Sequence, residues 1–490
     1  MASKLNVSRV EISNLFDMFD YDIELNDDLT IITSPNGYGK STILRMINNF
    51  TSGNYYSFLH ESFSKVVFHL VETEGKVAKK HKQLELINSF IELKNVNEQD
   101  EIINLFDFDL DSDVVRHKIE IIKNNRVVTI SDLTQVDSPT TIVELPSDND
   151  FSLVVSSIES KNPITRISYD SWSEDFTGEV FDFKKLISKY NESLSEDVRN
   201  RLFKNTTWLD SILKEVNSYF ISTDRIKATH VKNRRHMRGD NSTSMIKNLA
   251  AIILEKIQEG IRNQFEIGRE KETTFPERLI KSLKNSEKNV TQHELLSLIS
   301  EIQKFESKFS KLGLISDNNS RTTNLLNDFF DYEKSSTGNI VLKIYLDDIK
   351  SKFKALDNLA IQLKLFVGTL NELLSFKEIK INTKNGFVVQ PVNGKKNIDI
   401  GELSSGEQHI IVMIGRLIFE SKKGDLILID EPEISLHPEW QEVYIESLEE
   451  IRKEREFRIL MATHSTMIIG HRWDDVIELD KEHNTGEYHE

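Results

Sequence analysis

Two adjacent carboxylates, Asp430 and Glu431, end a run of four apolar residues in "LILIDEPE". A hydrophobic strand has no structural use for like charges at its end, and they are costly unless a cation or a transferable proton lies beside them. A bound Mg2+ would account for Asp430, and an attacking water in need of a base would account for Glu431. The plain alternative is a strand end capped by acidic residues at the turn before Pro432. Near the start of the chain, "TSPNGYGKST" has the residue types of a phosphate cradle. Gly37 and Gly39 would let the backbone wrap so that its N–H groups, with that of Asn36, point at an anion. Lys40 would reach the terminal phosphates, Ser41 would ligate Mg2+, and Thr42 would face the α-phosphate side. The run departs from G-x-x-x-x-G-K-[ST] at its first position, Ser34, which has only to make the bend out of a strand. An ordinary strand–turn–helix connection is the alternative here.

Two further stretches carry weaker signals. In "LSSGEQ", Ser404, Ser405 and Gly406 make a small-residue helix start, an anion cradle without a lysine. That suits a cradle completing a site that belongs to another subunit. It suits equally a plain N-cap box, with Ser404 or Ser405 as cap and Glu407 in the first turn. In "ATHS", His464 at a strand tip could touch a terminal phosphate, though a lone His there is as readily a surface or capping residue. The order of the four stretches along the chain argues for them more strongly than any one alone.

The elements that must position these residues are readable from periodicity. "SRVEISNL" and "FDYDIEL" alternate as strands, and "DDLTIITS" runs into the small-residue loop. After Lys40 the residues Ile43, Leu44, Met46 and Ile47 share a helical face, so the loop lies between strand and helix. "SKVVFHLVET", "RHKIEIIK" and "RVVTISDL" read as strands, and "KQLELINSFIELK" (82–94) as a helix. From about 180 to 220 the pattern is helical, ending in a buried strand, and from about 243 to 375 it is almost wholly helical. Breaks at "ETTFPERL" (272–279) and "SDNNSRTTN" (316–324) predict helical hairpins. From 376 a strand meander is followed by helices alternating with the apolar strands "LILID" and "RILMA", the signature of a parallel sheet covered on both faces.

Taken together, the four stretches resemble the motifs of an ABC-type ATPase head: "SPNGYGKST" its Walker A, "LSSGEQ" its signature, "LILIDEP" its Walker B and "THS" its H-loop. The wide gap between the first two is similar to the branch that includes RecF, SMC and OLD-type proteins, where an arm interrupts the head. "EPEISLHPEWQ" and "YFISTDR" resemble a group of bacterial ATPases that includes the ATPase subunits of the Septu and PARIS anti-phage systems and of retrons. The resemblance covers about residues 1–60 and 376–480. It implies an α/β fold, an ABC-type P-loop head of mixed sheet and flanking helices split by a large, mainly helical insertion. The expected division is 1–165 for the first half of the head, 166–375 for the insertion and 376–490 for the second half. It implies ATP and Mg2+ as ligands, with Asn36, Gly37, Gly39, Lys40, Ser41 and Thr42 on the nucleotide and Ser41 and Asp430 on the metal. Glu431 would be the catalytic base and His464 the γ-phosphate sensor. Ser404 and Gly406 would act in trans, in a head-to-head homodimer or higher oligomer.

Composition narrows the function classes. The chain has 490 residues and no cysteine, which excludes a disulfide framework and thiolate metal sites. The N-terminal stretch lacks the pattern of a secretory signal and no apolar run approaches a membrane span, so a cytoplasmic location without membrane contact is expected. A net charge of −17 gives no global attraction to polyanions. One cluster runs against it: Arg225, Lys227, Lys232, Arg234, Arg235 and Arg238, a loop that would either grip nucleic acid or pair with acidic neighbours. No nuclease motif occurs, which favours an ATP-driven sensor or scaffold controlling a separate effector nuclease in a defence complex. The alternatives are a RecF/SMC-like repair or recombination ATPase that clamps DNA, and a protein that binds ATP without hydrolysing it.

Overall fold

The computed structural model describes residues 4–72, 115–124, 127–134, 140–144, 148–168, 171–174, 180–190, 193–194, 202–222, 241–284, 290–315, 336–394 and 396–482. The basic cluster 225–238, the helix expected at 82–94 and the break expected at 316–324 lie outside them. The chain falls into two compact units, Met1–Ser222 with Lys422–Glu433 and Glu456–Glu490, and Thr223–Ser421 with Ile434–Arg455. No helix among the described residues is long and apolar enough to cross a membrane.

The first unit holds an antiparallel sheet in the order β11-β7-β6-β5-β4-β1-β2. Its strands are β1 (Leu5–Leu15), β2 (Phe19–Glu24), β4 (Lys65–Glu72), β5 (Val115–Asn124), β6 (Val127–Asp132), β7 (Thr141–Glu144) and β11 (Phe203–Lys204). In β2, Phe19, Tyr21 and Ile23 are buried while Asp20, Asp22 and Glu24 are exposed, the period of two expected where one face meets the core. A small sheet of β8 (Ile164–Ser168), β9 (Ser171–Glu174) and β10 (Val180–Asp182) follows. Among its described residues, the stretch 180–220, helical by pattern, holds two short helices, Phe183–Tyr190 and Thr207–Leu213, together with short strands.

A second sheet of the same unit is parallel, in the order β12-β15-β16-β3-β17. It comprises β3 (Leu29–Thr33), β12 (Ser218–Ser222), β15 (Leu426–Asp430), β16 (Arg458–Ala462) and β17 (Val476–Glu478). The apolar residues of β15 and β16 are buried along their length, which is why these strands read as unbroken apolar runs. Helix α1 (Lys40–Thr51) lies against β12, β15 and β16, and its Phe50 stacks on Phe68 of β4 at 4.0 Å. At the opposite end of β16, the buried Arg458 guanidinium donates to the carbonyls of Val7 (2.7 Å), Leu25 (2.9 Å) and Asn26 (3.0 Å), tying the two sheets together.

The second unit is built on helices Asn241–Lys284, Gln292–Lys311 and Ser336–Leu373. Leu295, Ile299, Ile302 and Leu346 form one of its clusters, and Thr291 and Glu294 make a capping box at the start of the second helix. The break predicted at 272–279 is absent: the first helix runs for 44 residues through Pro276. Its turn is braced from the side by Arg278, which donates to the Lys271 carbonyl (2.7 Å) and, through both terminal nitrogens, to Asp348 of the facing helix (2.7 and 2.8 Å). The hairpin β13 (Lys377–Asn382) and β14 (Gly386–Pro391) and helices Ser405–Phe419 and Pro438–Arg455 complete the unit. Within it, His409 is buried with neither ring nitrogen hydrogen-bonded, and burial pulls its pKa down to about 4.

Two stability effects follow. Replacing Arg458 by Leu strands several buried carbonyls and is expected to cost about 3 kcal/mol; an unchanged urea midpoint, followed by tryptophan emission, would refute this. His409 is neutral when folded, so below its ordinary pKa of 6.5 only the unfolded chain takes up its proton. Stability therefore falls as pH drops from about 6.5 towards about 4, at up to roughly 1.4 kcal/mol per pH unit from this group. A His409→Leu variant is expected to lose that component when unfolding is compared with wild type across the same pH range.

Candidate functional site

Parallel pairing brings three strand ends together. Asp430 pairs with Ala462, and Ala462 pairs with Ile32, so the loops after β15, β16 and β3 leave the sheet side by side. Crevices at the carboxyl ends of parallel strands are where α/β proteins hold ligands. Gly37 and Gly39 adopt φ of 97° and 87°, the left-handed region that favours glycine. A Cβ on Gly39 would lie 2.8 Å from Leu15 Cδ2, so that position is also closed sterically. Ser34 is not among the positive-φ residues, and its departure from the usual glycine is accommodated. Its carbonyl accepts from Lys40 Nζ at 2.8 Å, while its hydroxyl is 3.4 Å away.

Lys40 and Ser41 open α1, beside the two acidic residues. Ser41 Oγ donates to Asp430 Oδ1 at 2.9 Å, across 389 residues of sequence. Lys40 Nζ lies 3.5 Å from His464 Nδ1, and His464 Nε2 lies 3.6 Å from Glu431 Oε1. Glu431 adopts φ 48°, strained for a residue other than glycine, and its N–H is anchored on the Ala462 carbonyl at 2.9 Å. Thr42 is buried and its hydroxyl accepts from Arg45 at 2.8 Å; Asn36 is exposed at the loop tip. Burial pulls the Lys40 ammonium below its ordinary pKa, opposed by the carboxylates of Glu431, Asp430 and Glu433. Burial pushes the Asp430 carboxyl up, partly offset by the Ser41 bond and reinforced by Glu431. Such a buried, mutually perturbing set is characteristic of sites that bind charge.

Ser404 and Gly406 belong to the second compact unit. There Ser404 is the N-cap of the Ser405–Phe419 helix: its Oγ accepts the Glu407 N–H, and Glu407 accepts the Ser404 N–H at 2.9 Å. Lys377 grips the same Glu407 carboxylate at 2.6 and 2.8 Å. Burial pushes Glu407 up, and the bonds from Lys377 and Ser404 more than reverse it. Locally, then, the stretch is a capping box. The basic residues Arg225 to Arg238 lie outside the described residues.

Sequence reasoning missed two participants, Glu433 and Thr463. Glu433 accepts the Thr463 hydroxyl at 2.8 Å and the His464 N–H at 2.6 Å. The available signal was a third acid two residues past Glu431, in a turn that needs none.

The geometry predicts unequal effects in the phosphate-loop region. Ser34→Ala should leave affinity for a fluorescent ATP analogue within about threefold, because the shorter contact is made by its carbonyl. Gly39→Ala, strained and obstructed, should weaken it about tenfold or more. Equal damage from both would contradict this account of the loop.

Comparison with known proteins places the chain. Residues 6–469 match the family described as AAA ATPase domain. The zinc import ATP-binding protein ZnuC of Rickettsia bellii is 26% identical over 169 residues, 34% of this chain and 70% of that protein. The energy-coupling factor transporter ATP-binding protein EcfA2 of Spiroplasma kunkelii is 33% identical over 78 residues, 16% of this chain and 25% of that protein. Among solved structures, the Smc head domain with an extended coiled coil bound to the C-terminal domain of ScpA, from Pyrococcus furiosus, aligns over 98% of both chains at 12% identity and TM-score 0.34. Because the family match spans nearly the whole chain, this α/β protein with its large helical region belongs to the AAA ATPase domain family.

Proposed function

We propose that the chain binds ATP with Mg2+ at the carboxyl ends of β3, β15 and β16 and hydrolyses its terminal phosphate. The observation that carries this reading is the Ser41–Asp430 hydrogen bond of 2.9 Å beside Lys40. Those two oxygens are suitable Mg2+ ligands. Among the described residues no cluster of three or more His, Asp or Glu is placed to hold a metal by itself. That fits Mg2+, which is commonly held by one or two protein ligands with phosphates and water completing its shell. When bound, Mg2+ would neutralise charge on the phosphates. Gly37, Gly39 and the N-terminus of α1 direct backbone N–H groups at the phosphates, and Lys40 supplies the cation. Glu431 takes the proton of the attacking water, and His464, between Lys40 and Glu431, faces the terminal phosphate.

On the resemblance of its motifs, the reading extends to an ATPase head split by a mainly helical insertion. The insertion expected at 166–375 has to begin later than 166, because Ser218–Ser222 pairs with β15 in the sheet that carries the site. Ser404 and Gly406 of one copy complete the site of a second copy, giving a homodimer or larger oligomer around ATP. The assembly serves as an ATP-driven sensor or scaffold in a cytoplasmic anti-phage complex and controls a separate effector nuclease. A RecF/SMC-like DNA clamp is the second reading, favoured only by the basic sequence 225–238.

Lys40→Ala is expected to abolish ATP binding, and Glu431→Gln to bind ATP, lose turnover by about a hundredfold or more and accumulate as a dimer by light scattering. Turnover unchanged in Glu431→Gln would exclude hydrolysis at this site. An ATP-dependent gel shift on duplex DNA at low salt would favour the clamp over the sensor.

A further inference from the structure

Glu433 makes two bonds that hydrolysis itself does not require. Its Oε2 accepts the hydroxyl of Thr463, which is fully buried, and its Oε1 accepts the backbone N–H of His464. Thr463 in turn donates its N–H to the Ile32 carbonyl at 3.1 Å and accepts the Ser465 N–H on its hydroxyl at 3.0 Å. These links hold the backbone around His464 rather than its ring. The ring is left with Nδ1 3.5 Å from Lys40 Nζ and Nε2 3.6 Å from Glu431 Oε1. One short turn after β15 thus addresses the loop after β16 twice, through the Glu431 N–H on Ala462 and through the Glu433 carboxylate on Thr463 and His464.

We propose that Glu433 is a positioning residue: its carboxylate clamps the loop after β16 so that the His464 imidazole stands between Lys40 and Glu431. The proposal rests on the reading of Glu431 and His464 as hydrolytic groups. Glu433 acts through the loop, since its two carboxylate oxygens accept from the Thr463 hydroxyl and the His464 N–H. A charge at this place also favours the ammonium form of Lys40, together with Glu431 and Asp430.

The test combines turnover with hydrogen exchange in the full-length chain. Glu433→Ala removes both bonds and is expected to lower kcat about 30- to 100-fold, the scale of a displaced catalytic group, with the KM for ATP within about threefold. Glu433→Gln keeps an acceptor for the His464 N–H and offers an N–H to the Thr463 hydroxyl, so it should recover kcat to within about tenfold of wild type. Adding Glu433→Ala to His464→Ala should cost nothing further, since the clamp works through that ring. Exchange in the peptide 461–467 should accelerate in Glu433→Ala and remain slow in Glu433→Gln. Unchanged exchange in a folded Glu433→Ala protein, or additive losses in the double variant, would overturn the clamp. If exchange accelerates while His464→Ala turns over ATP as fast as wild type, the clamp stands and the reading of His464 falls. Should Glu433→Ala not fold, Glu433→Gln carries the test: slow exchange with near-normal kcat supports the clamp, and fast exchange with normal kcat overturns it.

Discussion

Asp430 lies beside Ala462, and Ala462 beside Ile32, because β15, β16 and β3 run parallel and in register. The site depends on that ladder. A slip of one residue in β15 would turn Asp430 to the other face of the sheet and break its bond to Ser41. The intervening β16 keeps the glycine-containing loop after β3 and the acidic pair one strand apart, and the loop that leaves it carries the His464 imidazole between Lys40 and Glu431. The register is secured far from the chemistry, by buried apolar side chains along three strands and by Arg458 anchoring the start of β16 to backbone carbonyls.

Electrostatics explains why the arrangement is built for a ligand. Lys40 is buried, and its ammonium is satisfied by the carbonyls of Ser34 and Pro35 at 2.8 and 3.3 Å. Three carboxylates nearby favour its charged form, while burial and the neighbouring Glu431 make Asp430 costlier to ionise. A fold selected for stability alone would replace such a set by apolar side chains, since breaking even a buried pair is expensive and retaining one is rarely a gain. The strained backbone at Glu431 points the same way, because positive φ at a residue with a side chain persists only where the surroundings enforce it.

Short-range and long-range information separated clearly between sequence and structure. The phosphate-loop helix, the unbroken apolar strands and the Ser404–Glu407 cap were legible because each is decided by neighbours within a few residues. Pro276 misled: its local cost of about 3 kcal/mol in a helix predicts a break. The Arg278–Asp348 pair, 70 residues apart, lies beyond any window of periodicity. The Ser41–Asp430 contact spans 389 residues and was reachable only through the resemblance of its two motifs to a known site. Glu433 escaped notice for a related reason, since an acid in a turn looks solvated until the loop that it grips, at Thr463 and His464, is placed beside it.

The central claim is that Ser41 and Asp430 hold one divalent cation only in company with a nucleotide. Electron paramagnetic resonance of Mn2+ titrated into the protein, with and without a non-hydrolysable ATP analogue, tests it most directly. The account predicts about one tightly bound Mn2+ per chain that appears only with the nucleotide and weakens at least tenfold in Asp430→Asn, as expected for loss of a metal ligand. Equal Mn2+ binding without nucleotide, or binding indifferent to Asp430, would contradict it.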